Sequence, residues 1–278
     1  MLMLWRSIKM QLKVIYEKKV AMIMLFLLLA LVLINYFGNV FAYQGFDVVN
    51  MYHPMKLLTL SSYSEYGYYL MQYFPLLVVI PAGFSLYADK HSNQLIYIES
   101  RVGARDYYWG KLIVTFLVTF FVFTAPFLIE IILNLVAFPF SATGHPSNLG
   151  YYERTHHLKQ ILFSELYIRA PYLYAVFFTF LFGLFSGILA VFTVAISTFR
   201  IKFKVLLFLP VYLLLYFIGM LNQLIPTLSV FTNYFFYLSF YHHHPNASTS
   251  FYMYLIFMLF ILGLSIFIMK IKMKKDTL

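Results

Sequence analysis

Long stretches without any charged residue constrain this chain more than any other feature. No Lys, Arg, Asp or Glu occurs in 205–269 or in 170–199. Of the 278 residues, 62% are hydrophobic and 11% are charged, whereas soluble domains carry about 25% charged residues. A soluble core of this length cannot bury so much apolar surface. The sequence therefore predicts an all-α polytopic membrane protein whose excess apolar surface faces lipid.

The spans follow from length, because a helix needs about 20 mostly apolar residues to cross the hydrocarbon core. We predict one transmembrane domain over 1–278 with six spans, at 20–42, 66–88, 112–137, 170–199, 205–220 and 251–269. Residues 221–245 contain Pro and several amides, which favour a re-entrant element at the outer side over a seventh crossing.

The basic residues predict the orientation, since cytoplasmic loops carry an excess of Lys and Arg. With the N-terminus inside, sixteen of the 20 Lys and Arg residues fall on the cytoplasmic side. They are Arg6, Lys9, Lys13, Lys18, Lys19, Lys90, Arg101, Arg105, Lys111, Arg200, Lys202, Lys204, Lys270, Lys272, Lys274 and Lys275. We therefore predict a plasma-membrane protein with both termini in the cytoplasm. The net charge of +10 is explained by this inner surface and does not indicate nucleic-acid binding.

Two amphipathic helices are predicted outside the spans, one before the first span and one between spans two and three. Residues 1–19 place apolar and basic side chains on opposite sides at helical spacing, which predicts an amphipathic helix in the inner interface, against membrane lipid. Residues 93–102, between spans two and three, predict a second amphipathic helix that Ser92 or Asn93 can cap and Gly103 can end. Its apolar stripe consists of Leu95, Ile98 and Val102.

The sequence lacks the residues and motifs that several kinds of chemistry require. The chain contains no Cys, which excludes disulfides and thiolate sites. It has no GxxxxGK[ST] motif and hence no P-loop ATPase of its own, and it has neither HExxH nor GxSxG. Glu130 is the only acid within a predicted span, which disfavours an ion-driven carrier. We predict no catalytic residue, no metal site and no cofactor bound by this chain.

The order of these elements resembles the ABC-2 type permeases, the membrane subunits of type V ABC exporters. The resemblance covers nearly the whole chain, from a basic amphipathic helix through six spans and a coupling helix to a re-entrant pair before the last span. Its most specific part begins at Asp89 and continues through "ESR" at 99–101 and Arg105 to "GK" at Gly110 and Lys111. Family members often carry Gly a few residues after the acid, where this chain has Asn93.

The resemblance implies the transmembrane subunit of an ATP-binding cassette exporter, with no enzymatic activity of its own. Two permeases, either two copies of this chain or this chain and a paralogue, would form the translocation path. Two cytoplasmic ABC ATPase subunits would bind ATP and Mg²⁺ and receive the coupling helix. The implied coupling residues are Asp89, Asn93, Leu95, Ile98, Glu99, Ser100, Arg101 and Arg105.

The substrate class follows from composition. Aromatic residues make up 21% of the chain; most of them are expected to pack the spans, and the remainder suit an amphipathic or hydrophobic substrate. Such a substrate would be a peptide, a lipid-linked glycan or a drug.

Candidates for an outer vestibule are Glu130, His156, His157, His242, His243 and His244. The simpler interpretation makes the histidines polar loop residues at the headgroup level and Glu130 a side chain that reaches the outer surface. A second hypothesis makes the chain a polytopic membrane enzyme that acts on lipid or glycan at the outer face through these histidines and Glu153. A third makes it an ATP-independent channel or carrier.

Overall fold

We describe a computed structural model of the chain over residues 2–48, 51–92, 94–139, 161–225, 232–240 and 247–276. Throughout these ranges the regular structure is helical, apart from isolated bridge residues such as the pair Ser61 and Phe240. Five helices are long and apolar enough to cross a membrane. The chain is therefore an all-α, multi-pass membrane protein.

The helices follow one another in nearly the predicted order. They are α1 (Leu2–Glu17), α2 (Val20–Ala42), α3 (Glu65–Leu77), α4 (Ser85–His91), α5 (Gln94–Val102), α6 (Ala104–Ala137), α7 (Ser164–Arg169), α8 (Pro171–Ile196), α9 (Phe208–Leu224), α10 (Tyr234–Leu238) and α11 (Ala247–Asp276). Short 3₁₀ helices occupy Pro54–Leu57 and Lys204–Leu207. The predicted spans 20–42, 170–199, 205–220 and 251–269 correspond to α2, α8, α9 and α11. The third span is longer than predicted, because α6 already begins at Ala104.

One end of the bundle collects the basic segments. Lys90 on α4 donates to the backbone oxygens of Ser197 and Thr198, just beyond α8, at 2.9 and 2.8 Å. The last turns of α11 reach the same place, because Met269 and Met273 pack with side chains of α4, α6 and α8. We call this the basic end; it comprises α1, α4, α5, residues 197–207 and the end of α11. The opposite end is the far end.

Helices α6 and α8 form the centre of the bundle and share its most extensive contact. Gly183 and Gly187 on α8 make this contact possible. A Cβ at Gly183 would collide with Oγ1 of Thr124, and one at Gly187 would lie 2.7 Å from a ring carbon of Phe116. Small residues four positions apart allow membrane helices to approach closely. The GLFSG sequence at 183–187 thus mediates a helix–helix contact within the chain, between α6 and α8.

An aromatic cluster fastens α3 to this central pair. Phe74 on α3 is fully buried. Its ring centroid lies 5.8 Å from that of Phe123 on α6, and 5.2 and 6.2 Å from those of Phe182 and Phe185 on α8. Aromatic pairs at such separations add about 0.5–1.5 kcal/mol each to the stabilisation from buried area.

The second predicted span differs from the sequence expectation. The sequence predicts one continuous helix over 66–88, whereas the structure has α3 and α4 joined by turns at 78–84. Pro81 lies in these turns and has no backbone N–H with which to continue a helix. The correction is therefore one of continuity: the segment is two helices, and the break lies at Pro81.

A second proline in the same segment leaves a carbonyl without its helical hydrogen bond, and a residue distant in sequence supplies the missing donor. Pro75 lies inside α3 and cannot donate to the carbonyl of Met71, four residues before it. The hydroxyl of Tyr234 donates to that oxygen at 2.9 Å. The short helix α10 therefore completes the hydrogen bonding of α3.

The predicted re-entrant element at 221–245 is described only in part, because 226–231 and 241–246 lie outside the described residues. Helix α9 extends to Leu224, and α10 is buried at the far end. The backbone of Phe240 donates to Leu60 at 2.8 Å and accepts from Ser62 at 3.1 Å. Because α11 also starts at this end, the described part of the element does not return to the basic end.

The outward faces of the bundle are apolar. Large exposed side chains on α2, α9 and α11 include Ile23, Phe26, Phe37, Leu209, Phe217, Ile256, Leu259 and Phe260. Soluble monomers rarely expose apolar surface on this scale. These faces are consistent with contact to lipid or to another membrane subunit.

We predict that Gly183→Ala destabilises the bundle, because the added methyl group would have to displace Thr124 and separate α6 from α8. Overpacking of this kind typically costs about 1–3 kcal/mol. Gly219→Ala on α9 is the matched control, since nothing lies within 4 Å of a Cβ there. Thermal unfolding of the detergent-purified protein, followed by intrinsic fluorescence, measures both. An unchanged Tm for Gly183→Ala would contradict the close contact.

Candidate functional site

A buried ion pair connects α4 to α6 at the basic end. Nζ of Lys111 lies 2.6 Å from Oδ2 of Asp89, and the two side chains are 2% and 3% exposed. The hydroxyl of Tyr107 donates to the same oxygen at 2.6 Å. Lys18, between α1 and α2, places its Nζ 3.8 Å from Oδ1. We call these four residues the Asp89 cluster.

The Asp89 cluster acts as a fixed link between helices. Burying one charge without a partner costs several kcal/mol, so either member of the pair is tolerated here only while the other is present. Tyr107 and Lys111 are four residues apart on α6 and therefore lie on the same helical face. Helix α4 cannot leave this face without exposing or orphaning a charge.

Gly110 allows α1 to lie directly on α6. A Cβ at Gly110 would be 2.5 Å from Oγ of Ser7 and 3.1 Å from Nε2 of Gln11. Both α1 side chains are buried, and Gln11 donates to the backbone oxygen of Tyr107 at 2.9 Å. The sequence predicts α1 as an interfacial helix; the structure also seats its polar residues against α6. Both residues of the "GK" sequence thus have a structural role, Gly110 toward α1 and Lys111 toward Asp89.

Helix α5 packs across the basic end. Leu95 and Ile98 contact a cluster built from the ends of four helices. Its core members are Leu86, Tyr107, Tyr108, Leu112, Val191, Val194, Met269 and Met273. Gly103 separates α5 from α6 with φ 85°, a conformation that favours glycine. The helix predicted at 93–102 is present over Gln94–Val102 and ends at the predicted glycine, while Asn93 lies outside the described residues.

The predicted coupling residues divide between the interior and the surface. Ser100, Arg101 and Arg105 are exposed at the basic end, as is Tyr97 at 72%. Glu99 is half-buried, Leu95 and Ile98 pack inward, and Asp89 is 2% exposed. Asp89 is therefore placed to hold α4 and α6 together and not to meet a partner's surface.

A second buried carboxylate lies toward the far end. Glu130 is 0% exposed. Its Oε1 accepts from Nδ2 of Asn35 at 2.8 Å and from the N–H and hydroxyl of Thr59 at 2.8 and 2.7 Å. Its Oε2 has no hydrogen-bond partner among the described residues. From its sequence position, Glu130 is expected in an outer vestibule or at the outer surface; the structure instead buries it between α2, α6 and the segment around Thr59.

Two buried ionisable residues, Lys111 and Glu130, mark the ends of one apolar section. Between Lys111 and Glu130, α6 carries no charged residue. At 1.5 Å per residue this separation is roughly 28 Å, close to the hydrocarbon thickness of about 30 Å. Each of these two buried side chains therefore lies near one boundary of the section that suits the membrane core.

The histidines predicted for an outer vestibule cannot be placed, since His156, His157 and His242, His243 and His244 lie outside the described residues. His53, which is described, uses Nδ1 to accept from the N–H of Met55 at 3.2 Å at the start of a 3₁₀ helix. In the part of the chain that the structure describes, no group of three or more His, Asp or Glu side chains is arranged to hold a metal ion.

Sequence reasoning missed Tyr107, Lys18, Asn35 and Thr59 as partners of the two acids. Tyr107 and its neighbour Tyr108 are both fully buried. The available signal was the spacing of Tyr107 and Lys111, which places a hydroxyl and a cation on one face of α6.

No family model, curated protein or solved structure matches this chain. The resemblance to ABC-2 permeases therefore stays a prediction from the order of elements, and the geometry is the basis for a functional proposal.

We predict that Lys111→Met is strongly destabilising, because it leaves the Asp89 carboxylate buried with Tyr107 and the more distant Lys18. Breaking a buried pair on one side costs about 3–5 kcal/mol. The double variant Asp89→Leu with Lys111→Met removes both charges and should recover much of this loss. Unfolding in mixed detergent micelles measures the free energy of each variant.

The exposed pair of Lys13 and Glu17, 3.9 Å apart, provides the control. Lys13→Ala should change stability by no more than about 0.5 kcal/mol. If Lys111→Met proved as stable as Lys13→Ala, the Asp89 cluster would not be the link described above.

We predict that Glu130→Gln leaves the Tm of the detergent-purified protein nearly unchanged, whereas Glu130→Ala lowers it. The Gln side chain keeps an acceptor at Oε1, whereas Ala leaves the buried donors of Thr59 without one. Each orphaned buried group costs about 1–3 kcal/mol. Tm measurements compare the two variants with Glu17→Ala, an exposed control. Equal losses for Gln and Ala would contradict a role based on acceptance at Oε1.

Proposed function

We propose that the chain is the transmembrane subunit of an ATP-binding cassette exporter of the ABC-2 type, and that α5 is the helix on which a partner ATPase acts. The observation that carries the proposal is the two-sided packing of α5. Leu95 and Ile98 contact the ends of α4, α6, α8 and α11, while Tyr97, Ser100 and Arg101 are exposed. A force on the exposed side would reach four helices at once.

The contacts of α4 support transmission of such a force. Lys90 binds the carbonyls after α8, and the hydroxyl of Tyr87 donates to the backbone oxygen of Lys202 at 3.1 Å. Asp89 is bonded to α6. A helix tied to α6, α8 and the start of the next span moves with them as one body.

Six crossings are part of the proposal. Helix α3 begins against the backbone of Thr59, which bonds to Glu130, and α4 ends at Asp89, which bonds to Lys111. The broken segment thus runs along the same roughly 28 Å of α6 and counts as a sixth, discontinuous crossing. With the basic end in the cytoplasm, both termini are cytoplasmic and the protein belongs to the plasma membrane.

The partners follow from this role. ATP and Mg²⁺ would be bound by two cytoplasmic ABC ATPase subunits, because the chain has no P-loop. A second permease, identical or paralogous, would complete the translocation path.

A surface rich in tyrosine supports an amphipathic or hydrophobic substrate. Helices α3 and α9 are in contact and expose Tyr66, Tyr68, Tyr69, Tyr73, Tyr212 and Tyr216. Tyrosine combines an apolar ring with a hydroxyl that seeks a hydrogen bond, and in membranes it prefers the interface over the lipid core. The exposed tyrosines of these two neighbouring helices are therefore proposed to line a path between subunits.

We predict that the chain, purified from its own cells in mild detergent, carries a P-loop ATPase in stoichiometric amount. Arg101→Glu combined with Tyr97→Ala should remove the ATPase and leave Tm unchanged, because both side chains are exposed. Arg200→Glu, exposed at the same end but outside α5, is the charge-matched control and should retain it. A chain that purifies alone in every mild detergent, or equal loss in the control, would contradict the proposal.

A further inference from the structure

We propose that a pocket at the basic end binds the phosphate headgroup of an anionic membrane lipid. The pocket lies between the junction of α1 and α2 on one side and the turns that lead into α4 on the other, and its lining includes Ile15, Lys18, Pro81, Phe84, Ser85 and Lys204. Its volume is about 110 Å³. A water molecule takes up about 30 Å³ in the liquid, so the space suits a group of the size of a phosphate.

The charge balance of the pocket favours an anion. Lys18 and Lys204 line it, and the nearest acid, Asp89, is already paired with Lys111 at 2.6 Å and is 3.8 Å from Lys18. Lys204 places its Nζ 4.5 Å from the ring centroid of Phe84. Lys18 and Lys204 thus line one site, and the Asp89 carboxylate next to Lys18 is paired at a shorter distance with Lys111.

Ser85 supplies an independent observation. The residue is 8% exposed, and its Oγ has no hydrogen-bond partner among the described residues although it lines the pocket. A buried hydroxyl without a partner is costly and rare. Because this oxygen is shielded from the pocket, a phosphate oxygen could accept from it only after a change of the Ser85 χ1 rotamer.

The start of α2 adds to the same preference. Val20, the first residue of this helix, lines the pocket, and no side chain caps the helix at Lys19. The N-terminus of a helix presents free N–H groups and a partial positive charge, both of which favour a phosphate. The two lysines, Ser85 and the first residue of α2 therefore line the same space.

A lipid is favoured over a soluble phosphate because the rest of the lining is apolar. Seven of the ten residues around the pocket are hydrocarbon or aromatic: Ile15, Val20, Ile80, Pro81, Ala82, Phe84 and Ala88. The pocket also lies at the first residue of a helix that can cross the membrane, which is the level of the headgroups. The glycerol and the upper acyl chain would lie along the apolar wall, and the phosphate between the lysines.

The test uses the full chain in dodecyl maltoside and native mass spectrometry with two probes, dioleoyl phosphatidylglycerol and dioleoyl phosphatidylcholine. Phosphatidylglycerol should bind more tightly. Each lysine near an anionic lipid contributes about 1 kcal/mol, so Lys18→Gln with Lys204→Gln should weaken phosphatidylglycerol binding about 25-fold. Ser85→Ala should weaken it several-fold while both lysines remain. Lys9→Gln with Lys270→Gln, which removes the same charge from exposed positions at the same end, should have little effect.

Each contrary outcome overturns the proposal. Equal losses in the two double-lysine variants would reduce the effect to general surface charge, and equal affinity for phosphatidylcholine would remove the preference for an anion. Displacement of phosphatidylglycerol by millimolar inorganic phosphate or glycerol 3-phosphate would assign the site to a soluble phosphate. Lys204→Gln alone, at an exposed residue, provides a folded variant if the double substitution lowers Tm, and it should show an intermediate loss of binding.

Discussion

The ion pair between Asp89 and Lys111 is the interaction on which the basic end of this protein depends. A buried charge is stable only beside its partner, so the 2.6 Å contact fixes α4 on α6. Lys90, the next residue, fixes the other side of α4 to the carbonyls beyond α8. Helix α5 follows α4 directly and packs on the surface that these bonds create. Its position is thus a consequence of one buried carboxylate and two lysines.

The polar contacts at the two ends of α6 fix the register of its packing, which the apolar centre of the helix cannot do. Dispersion contacts and close glycine approaches, such as that of Gly183, bring helices together but discriminate weakly between neighbouring registers, because lipid is as apolar as the packed side chains. The Asp89 cluster and the bonds of Glu130 to Asn35 and Thr59 have discrete partners. A shift of α6 by one residue would orphan both acids. The polar ends therefore fix the register that the aromatic centre fills.

The sequence predicted the elements whose signal is local. Residues 20–42 are apolar between basic and polar flanks, and α2 has these bounds. The break at 78–84 was missed because apolar composition alone does not distinguish one long helix from two, although Pro75 and Pro81 were visible. The partners of Glu130 could not be found, since Asn35 precedes it by 95 positions and no local pattern reports such a contact. The candidate site was predicted at α5, but the buried contacts of Asp89 with Tyr107, Lys111 and Lys18 were not.

The different bonding of α3 and α4 bears on how the proposed subunit would work. Helix α4 is held by ions and directed hydrogen bonds, which permit one geometry. Helix α3 is held by the rings around Phe74, by a hydrogen bond from Tyr234 to Met71 and by the close approach of Gly67 to the backbone of Thr59. The turns at 78–84 join the two. In the proposed subunit, a displacement of α5 would therefore be passed to α4, α6 and α8, and the turns at 78–84 are the place where α3 is not part of the same continuous helix. In the proposed exporter, the break that composition alone conceals is thus the place where a motion at the basic end would change the orientation of α3 relative to α4.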